Sequence, residues 1–158
     1  MSTVDLIACY TMRRVEEAHF DEVLAIERMS YTNPWVEDAF RHEVEQNAFS
    51  RPRVAVTIEK PHAVVGYCVS WLVFEQVHIH NVAVHPRHRR FGLARHLLER
   101  ALEDGLDAGA RSAQLEVRES NVIALKLYAS LGFRVASERK GYYSRPREDA
   151  VLLHKDLG

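Results

Sequence analysis

The fold of this chain is decided by residues 85–100, which are His85-Pro86-Arg87-His88-Arg89-Arg90-Phe91-Gly92-Leu93-Ala94-Arg95-His96-Leu97-Leu98-Glu99-Arg100. The apolar run from Val77 to Val84 predicts a strand, and Pro86 stops it because proline cannot donate to a strand ladder. The apolar residues that follow have the spacing of a helix with one buried face: Ala94, Leu97, Leu98, Ala101, Leu102 and Leu106. Gly109 is placed to end that helix. The stretch therefore predicts a strand, a basic turn and a helix in succession.

The basic turn has the features of an anion site. Backbone N–H groups in the first turn of a helix have no internal partner, and the helix dipole adds partial positive charge there. Gly92 has no Cβ, so a ligand can approach its backbone closely, and Arg89, Arg90 and Arg95 add full charges. We expect a phosphate or pyrophosphate to bind here; the alternative is a solvated basic helix start.

The spacing of the turn identifies the kind of phosphate site. It is not a P-loop, because no Gly-Lys-Ser/Thr follows, and a dinucleotide fingerprint needs three glycines where this turn has one. Residues 89–94 match the pattern Arg/Gln-x-x-Gly-x-Gly/Ala. This pattern resembles the pyrophosphate-binding signature of the GCN5-related N-acetyltransferases (GNATs), which bind acetyl-coenzyme A.

The composition indicates one ordinary domain. With 158 residues, 47% of them apolar and 27% charged, we expect a single domain spanning residues 1–158. The net charge of −1 provides no general basic field and argues against nucleic acid as a partner. We see no signal peptide and no apolar run near 18 residues, so we expect a cytoplasmic protein with no membrane partner. Cys9 and Cys68 are expected to be reduced.

The order of predicted elements is typical of a mixed α/β sheet with helices on its faces. Strands are predicted at residues 5–14, 53–59, 64–74, 77–84 and 113–118, from residue 132 onward and at 150–154, and helices at 16–29, 36–46, 94–108 and 121–131. The same order is found in the GNAT fold, whose mostly antiparallel central sheet is flanked by helices. The resemblance therefore extends over nearly the whole chain.

Further segments resemble one branch of that family, the bacterial ribosomal-protein-alanine N-acetyltransferases. These segments are Pro34-Trp35, Asn81 to Val84 with Pro86, Leu115 to Asn121, Leu127 to Phe133, Tyr142-Tyr143 and Arg147 to Ala150. The resemblance implies an acetyl-coenzyme A-dependent enzyme that acetylates the N-terminal alanine of a ribosomal protein. It implies Glu116 as the general base and Tyr128 as the general acid. The residues that it places against acetyl-coenzyme A are Val82, Ala83, Val84, Arg89, Arg90, Phe91, Gly92, Leu93, Ala94, Arg95 and Asn121.

The chemistry of amine acetylation requires such groups. The amine must lose a proton before it attacks the thioester, an oxyanion then develops, and a thiolate leaves, so a base, N–H donors and an acid are needed. Glu116 lies inside an apolar strand, where a carboxylate is costly unless it is solvated or paired. Structural roles are the alternatives: an ion pair with Arg111 or Arg118 for Glu116, plain core for Tyr128, and a helix cap for Asn121.

The sequence leaves open the role of two histidines and the identity of the acceptor. His78 and His80 alternate on one strand face and could share a metal, but no cysteine or acidic partner nearby completes a site, so no metal is predicted. They would then line the acceptor cleft or be ordinary strand residues. The loop between Gly141 and Arg147 is shorter than the branch resemblance implies, which leaves the acceptor open. The rival functions are acetylation of a small-molecule amine or a lysine side chain, and acyl-coenzyme A binding without turnover.

Overall fold

The computed structural model describes residues 9–158, and seven strands and four α-helices lie within that range. The strands are β1 (Tyr10–Arg14), β2 (Ser50–Thr57), β3 (Val64–Val73), β4 (Gln76–Val84), β5 (Ser112–Arg118), β6 (Arg134–Ser144) and β7 (Arg147–Asp156). The helices are α1 (Phe20–Ser30), α2 (Glu37–Glu45), α3 (Leu93–Asp107) and α4 (Val122–Ser130), with short 3-10 turns at Glu17–His19 and Pro86–His88. None of these helices is long and apolar enough to cross a membrane.

The strands form one sheet in the order β1-β2-β3-β4-β5-β7-β6. Every pair is antiparallel except β4 and β5, which run parallel. The predicted α/β mixed sheet is therefore confirmed. The predicted first strand is observed from Tyr10, while its residues 5–8 lie outside the described range. The predicted loop at 141–147 was wrong in part, because β6 continues to Ser144 and leaves a two-residue turn before β7.

The sheet opens between its two parallel strands. Only three positions of β4 and β5 pair: Gln76 with Ser112, Val77 with Ala113, and His78 with Gln114. Beyond them each strand continues without the other, to Val84 and Arg118 respectively. The opening faces the carboxyl ends of the two strands, where β4 leads into the basic turn and α3.

A bulge on β4 lies at the start of this opening. The register with β3 passes from Asn81 opposite Val69 to Ile79 opposite Ser70, so His80 has no partner across the ladder. A bulge bends its strand and re-aims the side chains around it. The bulge therefore separates the part of β4 that pairs with β5 from the part that borders the cleft.

Apolar cores lie on both faces of the sheet. One core packs α3 and α4 against the sheet through Leu97, Leu98 and Tyr128, and the other packs α1 and α2 through Phe20, Ile26 and Phe40. The predicted stripe of α3 is confirmed except at its end, since Leu106 is 48% exposed. The two layers of helices hold β4 and β5 from opposite sides and so fix the cleft between them.

One glycine brings α3 unusually close to β4. A Cβ added to Gly105 would lie 2.2 Å from Cγ2 of Val77, a distance no real contact allows. Gly109, with φ +97°, follows the last turn of the helix and ends it as predicted. Gly105 was not singled out by the periodicity of the sequence, because an interior glycine reveals its packing role only in three dimensions.

Candidate active site

The basic turn presents main-chain N–H groups at the open end of the cleft. Gly92 occupies the N-cap of α3 in the left-handed region, with φ 81°, and provides no side-chain cap. Arg90 is left-handed too, with φ 71°, which is uncommon for a residue with a side chain. Left-handed residues in a turn can direct nearby N–H groups toward one point, a geometry typical of anion-binding concavities. The predicted residues Phe91 and Ala94 belong to the same turn, and Leu93 is buried beneath it.

Two of the three predicted arginines also hold the protein together. The guanidinium of Arg89 donates to the carbonyl of Val84 at 2.9 Å and to Oγ of Ser30 at 3.3 Å. Arg95 donates to Oγ of Ser130 at 2.7 Å, which ties α3 to α4. The charges of both therefore stay near the turn, while Arg90 is exposed.

The strand β4 contributes Val82, Ala83 and Val84 beyond its bulge. Ala83 and Val84 are buried, whereas Val82 keeps part of its surface open. The hydroxyl of Tyr31 donates to the carbonyl of Val82 at 2.9 Å and accepts from its N–H at 3.3 Å. Enclosure of this hydroxyl raises the pKa of Tyr31, although a third of the residue is exposed. Sequence reasoning missed Tyr31, because nothing local indicates that residue 31 reaches strand β4.

A buried carboxylate fixes α1 beside the bulge. Glu27 is 2% exposed and accepts hydrogen bonds from the hydroxyl of Tyr67 at 2.9 Å and from Nδ2 of Asn81. Burial raises the pKa of Glu27 even though these donors favour its ionised form. The sequence did not single out Glu27, because its donors lie 40 and 54 residues further along the chain. The network anchors α1 to both strands of the β3–β4 pair.

Glu116 lies at the base of the opening and is paired with a histidine. Its Oε2 is 2.8 Å from Nε2 of His78, and the side chains are 13% and 23% exposed. The hydrogen bond from His78 lowers the pKa of Glu116 below its usual range, against the raising effect of burial. The alternative pairing with Arg118 was wrong, since Arg118 bonds instead to the carbonyls of Arg145 and Pro146. The expectation that the two histidines have no acidic partner was also wrong, because His78 is paired with Glu116.

His80, the residue at the bulge, is enclosed by aromatic neighbours. Its ring centroid lies 3.9 Å from that of Trp71 and 4.3 Å from that of His78. Its Nε2 is buried without a hydrogen-bond partner within the described range, and burial lowers the pKa of His80 to about 4. Trp71 in turn donates to Oε2 of Glu43 at 2.8 Å. Residues 9–158 contain no cluster of three or more ligands that could hold a metal ion.

The predicted acid, Tyr128, is buried on α4 and packs edge-to-face on Phe133 with ring centroids 5.7 Å apart. Burial raises the pKa of its phenol, so the hydroxyl keeps its proton at neutral pH. Cys68 belongs to the same surroundings, and burial raises the pKa of its thiol to about 12. A neutral buried thiol is a poor nucleophile.

One asparagine and one further tyrosine border the cleft. Asn121 caps α4, its Oδ1 accepting from the N–H of Ala124 at 3.2 Å, so the predicted cap is confirmed. Tyr143 on β6 lies under the guanidinium of Arg118, which is 4.2 Å from its ring centroid, and burial raises the pKa of Tyr143 to about 12. Its position near Glu116 was not predicted, because the polar pattern of β6 does not reveal its register with β7.

Two segments from opposite ends of the chain meet beside the cleft. Nδ2 of Asn33, between α1 and α2, donates to the carbonyl of Arg145 in the β6–β7 turn at 2.8 Å. The guanidinium of Arg118 holds the same turn from the other side. The loop after α1 and the tip of the β6–β7 hairpin therefore meet at the Arg118 end of β5.

A sheet split between two parallel strands, with an uncapped helix start at the opening, is typical of the acetyl-coenzyme A-dependent N-acetyltransferases. The chain belongs to the Acetyltransferase (GNAT) family, whose sequence model matches residues 20–133. It is 36% identical over 142 residues to a Bacillus subtilis protein provisionally named [ribosomal protein bS18]-alanine N-acetyltransferase, covering 90% of this chain and 92% of that protein. It is 29% identical over 145 residues to the [ribosomal protein bS18]-alanine N-acetyltransferase of Escherichia coli K12, covering 90% and 95%.

Solved structures show the same fold. The crystal structure of the ribosomal-protein-S18-alanine N-acetyltransferase from Escherichia coli superposes with a TM-score of 0.84 at 29% identity, covering 94% of each chain. Arabidopsis thaliana NAA60 in complex with acetyl-CoA superposes with a TM-score of 0.85 at 17% identity, covering 94% of this chain and 98% of that one. The family match and the relatives at 36% and 29% identity confirm the predicted family and enzyme class.

Proposed function

We propose that this enzyme transfers the acetyl group of acetyl-coenzyme A to the N-terminal α-amine of a ribosomal protein whose first residue is alanine. The observation that carries the proposal is the likeness over nine-tenths of the chain to proteins named for that reaction, one of them at 36% identity. Since ribosomal proteins are made in the cytoplasm, we place the reaction there. Neither nucleic acid nor membrane takes part in it.

The cofactor end of the cleft suits a pyrophosphate. Uncapped N–H groups at the start of α3, the left-handed Arg90 and Gly92, and the nearby guanidinium groups would hold its negative charge. The part of β4 from Val82 to Val84, which pairs with β3 but not with β5, would lie along the pantetheine arm and bring the thioester toward the bulge. Asn121, which caps α4 through its oxygen only, keeps its amide N–H groups for the same ligand.

The transfer then needs one base and one acid. Glu116, at the bottom of the opening, would take part in removing the proton of the acceptor ammonium, and Tyr128 would give a proton to the departing thiolate. The carbonyl carbon forms its bond to nitrogen as the carbon–sulfur bond breaks, so no covalent enzyme intermediate arises. Residues such as Asn33 and Arg145 would border the acceptor peptide.

A peptide assay tests the proposal. The enzyme is incubated with labelled acetyl-coenzyme A and a peptide that begins with alanine and contains an internal lysine. The matched control is the same peptide with a blocked α-amine. We expect label on the free alanine only, mapped by mass spectrometry. Label mainly on lysine or on polyamines would instead support the rival acceptors, and tight acetyl-coenzyme A binding with no transfer would support a binding module.

A further inference from the structure

A histidine and a glutamate join the two strands at the point where the sheet opens. His78 belongs to the last pair that β4 makes with β5, opposite Gln114. Two residues further along β5, Glu116 reaches back so that its Oε2 lies 2.8 Å from Nε2 of His78. Both side chains keep some exposure, 23% for His78 and 13% for Glu116. The pair therefore lies at the base of the cleft, accessible from the side where β4 and β5 are unpaired.

The chemistry of the pair bears on the base of the reaction. An α-ammonium has a pKa of about 8, and a carboxylate that already accepts a strong hydrogen bond is a weak acceptor for its proton. An imidazole matches that donor more closely. If Nε2 carries the ring proton toward Glu116, the other nitrogen, Nδ1, has a free lone pair. A carboxylate bound to one ring nitrogen fixes the tautomer and stabilises the imidazolium that forms on protonation.

We propose that His78 and Glu116 act together as the base, with the imidazole of His78 receiving the amine proton and Glu116 orienting and neutralising the ring. This inference rests on the proposed function. The ammonium gives its first proton to the imidazole, so the charge of the pair changes from −1 to zero. Nitrogen then bonds to the acetyl carbon and the carbon–sulfur bond breaks. The thiolate takes a proton from the hydroxyl of Tyr128. The second proton of the amine then returns to Tyr128, and the imidazolium of His78 releases its proton to water.

The surroundings of the pair leave no better proton acceptor at neutral pH among the described residues. The titratable groups that face it are His80 on β4 and Arg139 and Tyr143 on β6, and Glu43 on α2 lies next to His80. His80 is neutral above about pH 4, but its Nε2 is buried. Glu43 is 8% exposed and accepts the indole N–H of Trp71. Tyr143 keeps its proton, since its pKa is about 12.

The first test replaces His78 by glutamine, whose amide still donates to Glu116 but cannot take up a proton at neutral pH. We expect His78→Gln to lower kcat at least tenfold and to move the acidic limb of the kcat–pH profile to lower pH, because a carboxylate alone then receives the proton. Acetyl-coenzyme A affinity and melting temperature should not change. The matched control is His80→Gln on the same strand face, which should leave the limb in place. Wild-type kcat with an unmoved limb in His78→Gln would overturn the proposal.

The second test needs no acceptor and no folded His78 variant. Nitrogen-15 NMR of histidine-labelled wild-type enzyme identifies which ring nitrogen of His78 carries the proton. We expect the proton on Nε2, and loss of that fixed tautomer in Glu116→Ala. A proton held on Nδ1, or an unchanged spectrum in Glu116→Ala, would contradict the pairing. If the enzyme acetylates lysine or polyamines instead of alanine peptides, the proposed function fails. The kcat–pH profile of His78→Gln is then measured with that acceptor, and a moved or unmoved acidic limb supports or overturns the role of His78 as before.

Discussion

The hydroxyl of Tyr67 lies 2.9 Å from Oε1 and 3.1 Å from Oε2 of Glu27, inside the contact between α1 and β3. A carboxylate in such a place depends on its donors, because an unpaired buried charge is far more costly than an unpaired neutral group. Asn81 supplies the other side-chain donor to this carboxylate. Together the two donors tie α1 to β3 through Tyr67 and to β4, the strand that carries the bulge, through Asn81.

We predict that Tyr67→Phe lowers the free energy of unfolding by about 1–3 kcal/mol at neutral pH, because it leaves the carboxylate with one donor fewer. The folded-state pKa of Glu27 is raised, so the folded state binds this proton more tightly, and stability falls as pH rises from 4.5 through the folded pKa. Loss of the Tyr67 donor raises that pKa further. The deficit should therefore be larger at pH 8 than at pH 5.

Urea unfolding at both pH values measures this effect. Tyr142→Phe is the matched control, because Tyr142 is 48% exposed and should tolerate the change at either pH. A deficit that is equal at pH 5 and pH 8 would show that the phenol contributes through packing and not through the charge of Glu27.

A second prediction concerns the anion turn. Gly92→Glu should weaken acetyl-coenzyme A binding at least tenfold, which is about 1.4 kcal/mol, because a carboxylate would occupy the position of the pyrophosphate. The control is Gly92→Asn, since asparagine tolerates the left-handed backbone at φ 81° and adds no charge. Isothermal titration calorimetry compares the two variants. Wild-type affinity in Gly92→Glu would place the pyrophosphate elsewhere.

A third prediction follows from the close approach of α3 to β4. Gly105→Ala should destabilise the protein by about 1–3 kcal/mol, because the new methyl would overlap Val77. Glu103→Ala, on the exposed side of the same helix, should change stability by less than about 0.5 kcal/mol. The double change with Val77→Ala removes the overlapping methyl, so its cost should be smaller than the sum of the single costs. If the stability costs of the two single changes simply add in the double variant, α3 has moved away from β4 and the methyl groups do not overlap.

The strand, turn and helix at residues 77–109 could be predicted from the sequence because each signal there is local. Proline stops the strand, glycine opens the turn, and apolar spacing defines the helix. The contacts of the site could not be predicted in this way. His78 and Glu116 are 38 residues apart, and Glu27 and Tyr67 are 40 apart, so their meeting depends on sheet order and register. Glu116 could be recognised as costly in its strand, but its partner could not be named.

A fourth prediction concerns the proposed base. Glu116→Gln keeps the shape of the side chain and removes its charge, so kcat/KM should fall by about 10²–10⁴. Acetyl-coenzyme A affinity should stay at the wild-type value, because the anion turn is on another element. Turnover, calorimetric titration and melting temperature are measured together. Loss of the fold along with the activity would indicate that the carboxylate is structural and that the base lies elsewhere.

The last prediction concerns the acid. Tyr128→Phe keeps the ring that packs on Phe133 and removes only the hydroxyl, so the melting temperature should hold while kcat falls by about 10²–10⁴. Burial raises the pKa of this phenol, so the hydroxyl stays protonated and available to the departing thiolate throughout the neutral range. Tyr143→Phe is the informative control, because Tyr143 is a second partly buried phenol in the cleft and its pKa is about 12. We expect Tyr143→Phe to retain most of the wild-type kcat. If Tyr128→Phe turns over at the wild-type rate while Tyr143→Phe does not, the acid is Tyr143, and Tyr128 serves only the core.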